Sequence, residues 1–220
     1  VSMPKIMQGM YQSLITFPFN SLVLTFGTEA GAAYHIARRI YQQLIAPMHR
    51  SYYTVTTILT GQKLGAGEAE ESKKTTKAMI WLTIFTIGSL GIIIFFSAPY
   101  IVHLFSDDQT TIDIAINFLR AFSSIAPILT IYGVLAGLLN GAGNTKSPLY
   151  ANLFSQTLFK LALSYLLAIV FGLGLMGVYI GLASDFVIRA VWVGRKYRSY
   201  EWIDEADQLI SERRNKKSIN

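Results

Sequence analysis

The sequence predicts an all-α integral membrane protein built as a six-transmembrane-helix bundle, and three observations carry that prediction. No Asp, Glu, Lys or Arg occurs in Ile6–Thr28, Ala78–Ser106, Ala121–Thr145 or Leu161–Ser184. Each run is long enough for a helix to cross a ~30 Å hydrocarbon core, which takes about 20 apolar residues. Charge is scarce overall, with 15% of residues charged and 52% hydrophobic, against about 25% charged in soluble domains. The remaining Lys and Arg gather mostly between the apolar runs, as in a polytopic membrane chain.

The first span covers about residues 4–26 and hands over at the short loop Gly27–Gly31. Gln8, Gln12, Pro18 and Asn20 interrupt it, and no small-residue cleavage site follows. It therefore reads as a mature span inside a longer protein, not as a signal peptide. The second span, about 32–60, is the least apolar: it holds Arg38, Arg39, His49 and Arg50, with Pro47 as a kink. A polar loop, Gly61–Lys77, leads into a third span at about 78–104. The fourth is expected at about 112–139, the fifth at 149–171 and the sixth at 178–193, with glycine-rich turns between them.

Residues 1–198 are thus one membrane lobe and 199–220 a polar tail. In the tail Trp202, Ile203, Ala206, Leu209 and Ile210 recur at helical spacing opposite Glu201, Asp204, Glu205 and Asp207. Two readings stay open, a short amphipathic helix on the membrane surface and a solvated tail.

Lys5, Lys63, Lys73, Lys74, Lys77, Lys146 and the cations between Arg195 and Lys217 all fall on one side of this topology. The short loops on the other side hold Glu29, Asp107 and Asp108 and no Lys or Arg. The positive-inside rule then sets both ends of the segment in the cytoplasm, in a multi-pass protein of the plasma or inner membrane. The net charge of +6 belongs to this orientation signal and not to nucleic-acid binding.

Cysteine is absent, which excludes thiolate metal sites, disulfides and thiol catalysis. His35, His49 and His103 are scattered among the spans, so no metal site is expected. No nucleophile–base pair is evident either. An enzyme is not expected, and no cofactor.

Two heptapeptides echo one another: GQKLGAG at Gly61–Gly67 and GLLNGAG at Gly137–Gly143. Neither carries the Lys-Ser/Thr of a phosphate loop or follows a strand. Tight turns between packed helices are the favoured reading. These loops also carry a resemblance. LTGQKLGAGEAEESKK, GTEAGAAYHIARRI, YGVLAGLLNGAGNTKSPLYANL and GLGLMGVYIGLA, in this order and spacing, resemble segments of the multidrug and toxic compound extrusion (MATE) family, over Pro4 to about Arg198.

The resemblance implies a transporter of two six-helix lobes related by pseudo-symmetry, of which this chain matches the C-terminal lobe. Its partners would be the bilayer, the missing N-terminal lobe and small amphipathic or cationic substrates. It implies export of drugs or other amphipathic organic cations by antiport, with H+ or Na+ as the coupling ion. The family's coupling carboxylates on the first and fourth helices of this lobe correspond to Gln12 and Leu129, neither of them acidic. The coupling acid is then expected in the other lobe.

On span one Gln8, Gln12, Thr16 and Asn20 recur every four residues and so share a helical face. That face lines a substrate cavity or supplies interhelical hydrogen bonds. On span two His35, Arg39 and Gln42 are further cavity candidates. The arginines there are read as snorkelling to the interfaces, and His35 as a packing residue or a titrating group. On span four, Asp113 and Arg120 are expected to pair. Lys160, Asp185 and Arg189 are intramembrane ion-pair candidates: Lys160 and Asp185 both fall near the bilayer midplane, and Arg189, one turn from Asp185, competes for it. Two rival functions stay open, a lipid-linked oligosaccharide or peptidoglycan-precursor flippase of the same superfamily, and a non-transporting fragment or scaffold. Arg39 and Lys160 facing one cavity would favour the flippase.

Overall fold

The computed structural model describes residues 2–218, and the side chains of residues 10–211. Every element among them is helical: α1 (Ser2–Leu24), α2 (Thr28–Leu44), α3 (Ala46–Gly65), α4 (Ala69–Val102), α5 (Gln109–Gly141), α6 (Lys146–Ser155), α7 (Leu175–Ser199) and α8 (Glu201–Ser218). Beyond Ser155 the sixth helix continues as π-helix over Gln156–Leu163 and Leu166–Val170. Four segments among the described residues are long and apolar enough to cross a membrane: Ala69–Val102, Gln109–Gly141, Lys146–Val170 and Leu175–Ser199.

The second expected span is two helices. The chain breaks at Ile45, and Pro47 lies in the first turn of α3, where the missing N–H of proline removes nothing the helix uses. The long polar loop expected at 61–77 is mostly helical as well. α3 runs on to Gly65, and α4 starts at Ala69 with Glu70 and Glu71 in its first turn. Acidic side chains there favour the helix N-terminus, and each is 2.7 Å from a lysine one turn on, Lys73 and Lys74 respectively.

α5 is the central helix, packed against α2, α3, α4 and α7. Its contact with α3 is backbone to backbone. A Cβ on Gly137 would lie 2.5 Å from Tyr53 O, and one on Gly141 2.5 Å from Thr57 O. The echoed glycine motifs therefore act differently from the expected turns. Only their last glycines, Gly67 (φ 77) and Gly143 (φ 91), turn the chain. Gly61, Gly65, Gly137 and Gly141 are inside helices, and Gly61 faces the Gly141 carbonyl. Small residues four apart let membrane helices approach closely. α4 buries Ile87, Gly91, Ile94, Ala98 and Val102 against the bundle and exposes Trp81, Phe85, Ile92, Phe96 and Tyr100. Such an outward apolar face suits lipid.

The tail is helical and docks on protein. Tyr200, with a left-handed φ of 57°, turns the chain out of α7. Trp202 and Ala206 are buried with Leu64, Leu135, Leu138, Leu139 and Val193. The Trp202 indole donates to Tyr197 O at 3.2 Å, and Asn144 donates to Glu205 at 2.6 Å. Trp202 and Ala206 of its apolar stripe face the bundle, whereas Leu209 is exposed.

Candidate substrate cavity

Side chains from six helices line one open cavity of about 350 Å³. α1 supplies Gln12, α2 supplies Arg38, Tyr41 and Gln42, and α3 supplies His49 and Arg50. α5 adds Phe122, Leu129 and Tyr132, the sixth helix Asn152, Gln156 and Lys160, and α7 Asp185, Phe186 and Arg189. The cavity is also lined by Tyr34, which meets the rings of Phe19 and Phe118 edge to face, with centroids 5.5 and 5.3 Å away.

Its single carboxylate is fully committed. Asp185 is 0% exposed. The Arg189 Nε donates to its Oδ1 at 2.8 Å, the Arg189 Nη2 pairs with its Oδ2, and the Ser155 hydroxyl reaches Oδ1 and the Asp185 carbonyl at 2.7 Å each. The buried pair is therefore Asp185–Arg189, one helical turn apart on α7, where Lys160–Asp185 was the first expectation. The reason is geometric. An i,i+4 spacing brings the two α7 groups together on one face without any help from a neighbouring helix.

Lys160 makes no ion pair and no hydrogen bond among the described residues; its ammonium stands 5.0 Å from the centre of the Phe19 ring. Such a cation near the middle of the span Lys146–Val170 costs about 2.5–3.5 kcal/mol on insertion scales. The π-helical stretch aims it. A π-helix bonds i to i+5 and turns more slowly than an α-helix, so Gln156 and Lys160, four apart, stay on the cavity side. Gln156 is 2% exposed and donates to Gln12 at 3.0 Å and to Asn152 at 2.6 Å. Its own carbonyl oxygen, the Tyr41 hydroxyl and the His49 Nδ1 are buried with no hydrogen-bond partner among the described residues. All three belong to cavity-lining residues.

Of the residues that the sequence singled out, Gln12, Gln42, Lys160, Asp185 and Arg189 meet at this cavity. Thr16 and Asn20 do not line it, and the Asn20 Oδ1 is buried without a hydrogen-bond partner among the described residues. The side chain of Gln8 lies outside the described residues. His35 and Arg39 are exposed on another side of α2, and Arg38 takes the place expected of Arg39. Arg38 therefore borders a cavity, where snorkelling was expected. Asp113 and Arg120 do not pair. Asp113 accepts from Gln109 at 2.9 Å, and Arg120 donates to Phe95 O at 3.4 Å. Sequence reasoning missed Gln156, Asn152 and Tyr41; a four-residue recurrence Asn152, Gln156, Lys160 was the available signal.

The MatE family model matches residues 4–166. The chain belongs to the MatE family. Members are transporters, not enzymes. A "Probable multidrug resistance protein NorM" of Thermotoga maritima is 25% identical over 202 residues, covering 92% of this chain and 43% of that relative. Among solved structures, the MATE transporter ClbM in complex with Rb+ superposes with a TM-score of 0.82 at 22% identity, over 93% of this chain and 48% of that one. A MOP superfamily transporter from Pyrococcus furiosus, described as having a binding pocket of reverse polarity, gives 0.79 at 17% identity over 88% of this chain and 42% of that one. These likenesses establish an all-α membrane fold of the MatE type. The chain spans less than half the length of each of these three proteins.

Proposed function

We propose that the chain is the C-terminal of two lobes of a secondary active exporter, one that moves drugs or other amphipathic compounds out across the cell membrane in exchange for H+ or Na+. The carrying observation is the shared cavity. Polar side chains far apart in sequence, Gln12, Gln42, His49, Tyr132, Asn152 and Asp185, border one space inside an apolar bundle. Polar groups at membrane depth are expensive and mark substrate or ion pathways; a scaffold or inert fragment has no use for them. The Lys and Arg bias argues for both ends on the cytoplasmic side. Gln12 and Leu129, the positions where the family resemblance implies coupling acids, both border the cavity and are neutral. Asp185 is already neutralised by Arg189. Ion coupling is therefore assigned to the other lobe, and organic cations find no unpaired acid here.

The test is export from vesicles. Vesicles containing this chain together with a first lobe should expel a fluorescent amphipathic compound only under an imposed H+ or Na+ gradient. Vesicles containing this chain alone should not. Export by the chain alone, or export indifferent to both gradients, would overturn the reading. A flippase of lipid-linked pyrophosphates is the second reading, and one observation favours it: Lys160 borders the cavity. Arg39, its expected companion, is exposed elsewhere.

A further inference from the structure

We infer that the cavity selects an amphipathic oxyanion, a molecule with a phosphate or carboxylate head and an apolar body, held through Lys160 and Arg38. The inference names the substrate class of the site proposed above and rests on that reading. Four cationic side chains, Arg38, Arg50, Lys160 and Arg189, border the cavity with one carboxylate, Asp185. Arg189 and Asp185 cancel within their own bidentate pair. Arg38, Arg50 and Lys160 take part in none of the ion pairs among the described residues. Arg50 is exposed at the edge, whereas Arg38 and Lys160 are half-buried. Anything carrying positive charge into this space meets three cations that belong to no ion pair among the described residues.

Two further observations say what else the ligand carries. The buried and unpartnered Gln156 Oε1, Tyr41 hydroxyl and His49 Nδ1 await hydrogen-bonding atoms, since buried polar groups are otherwise satisfied in native proteins. Tyr34, Tyr41, Phe122, Tyr132 and Phe186 give the same cavity an aromatic wall. Its volume of about 350 Å³ falls in the range of roughly 300–1,000 Å³ of small-molecule sites. A bare inorganic ion would leave that wall unused.

The test uses the chain in detergent, with octyl phosphate and the matched cation octyltrimethylammonium as probes, read by native mass spectrometry. Octyl phosphate should bind at least about tenfold tighter than the cation. Lys160→Met and Arg38→Gln should each weaken it about tenfold, and Lys160→Arg should keep it, with melting temperatures confirming that each variant is folded. Phosphatidylglycerol and free octanoate form separate arms. Competition by phosphatidylglycerol at the Lys160-dependent site assigns the anion to a lipid headgroup, and competition by octanoate alone assigns it to a free small molecule. Equal binding of the two octyl probes, or octyl phosphate binding untouched in folded Lys160→Met, overturns the inference. In that event, gradient-driven export of a fluorescent amphipathic compound by the two-lobe assembly leaves the exporter reading standing. Loss of that export brings both down.

Discussion

α5 has two very different neighbours. Toward α3 it presents Gly133, Gly137 and Gly141, and the two backbones touch with no room for a methyl group at the latter two positions. On another side it presents Phe122, Leu129 and Tyr132 to a cavity of about 350 Å³ whose walls carry unmatched charge and unpaired hydrogen-bonding atoms. The first seam is satisfied by contact alone and has one arrangement. The second is complete only when something occupies it. A transporter lobe needs both, a fixed frame and a space whose contents change, and here one helix borders each.

The largest expected effect breaks the cavity side. Asp185→Asn removes the acidic partner of a buried guanidinium, because Arg189 is 9% exposed and has no other acid among the described residues. Breaking a buried pair from one side costs about 3–5 kcal/mol, while replacing both members is far milder. Detergent-solubilised Asp185→Asn should therefore melt well below the parent, and Asp185→Asn with Arg189→Met should recover most of the loss. Additive losses in that cycle would show that the pair does not act as a unit. Lys160 gives the internal contrast: with no partner to strand, Lys160→Met should be neutral or stabilising.

A smaller effect is expected at the glycine seam. In Gly137→Ala the new methyl group meets the Tyr53 carbonyl, which is backbone and cannot swing aside. Overpacking of this kind costs about 1–3 kcal/mol. Gly88 is the control. It is helical too, yet a Cβ there meets nothing within 4 Å, so Gly88→Ala should stabilise by about 0.5–1 kcal/mol through backbone entropy. Equal responses at the two glycines in thermal unfolding would remove the case for a tight α3–α5 contact.

How far the sequence could be read differs along the same lines. Long apolar runs depend on local composition, so the spans around Ala78–Ser106 and Ala121–Thr145 were legible without knowing any neighbour, and the run Leu161–Ser184 holds the end of one span and the start of the next. The Asp185–Arg189 pair was within reach because its spacing is local. Membership of the cavity was harder. Arg38 and Arg39 are adjacent in sequence and about 100° apart on a helix, so the choice between them depends on how α2 rolls against α5 and α1. Gln156 was signalled only by the recurrence Asn152, Gln156, Lys160, and the π-helix shifts the register of the faces that follow it. The glycine echo was visible, but its meaning was not. Whether a glycine turns the chain or admits another backbone depends on the helix beside it, and in each motif only the last glycine has a positive φ.

The smallest expected effect comes from a charge that belongs to neither seam, and it tests whether the cavity charges are special. Asp108 caps α5 at the far end of the bundle, where its Oδ2 accepts the Thr111 backbone N–H at 2.8 Å. Hydrogen bonds from Thr111, side chain first and backbone second, hold its carboxyl below the usual aspartate range. A depressed folded value stabilises the ionised form. The contribution is therefore fully present above the unfolded value near 3.9 and is lost as pH falls through the folded value. The group is exposed and water replaces much of what is lost, so the global melting temperature should barely move. The readout is local. Amide exchange at residues 109–112 should quicken in Asp108→Ala at pH 7, and the difference from the parent should vanish once acid has protonated Asp108. An exchange difference that persists at the lowest pH would mean that the cap acts through packing and not through its charge. A large fall in global stability would mean that exposed charges here matter as much as the buried ones, and the contrast between the cavity and the rest of the bundle would lose its force.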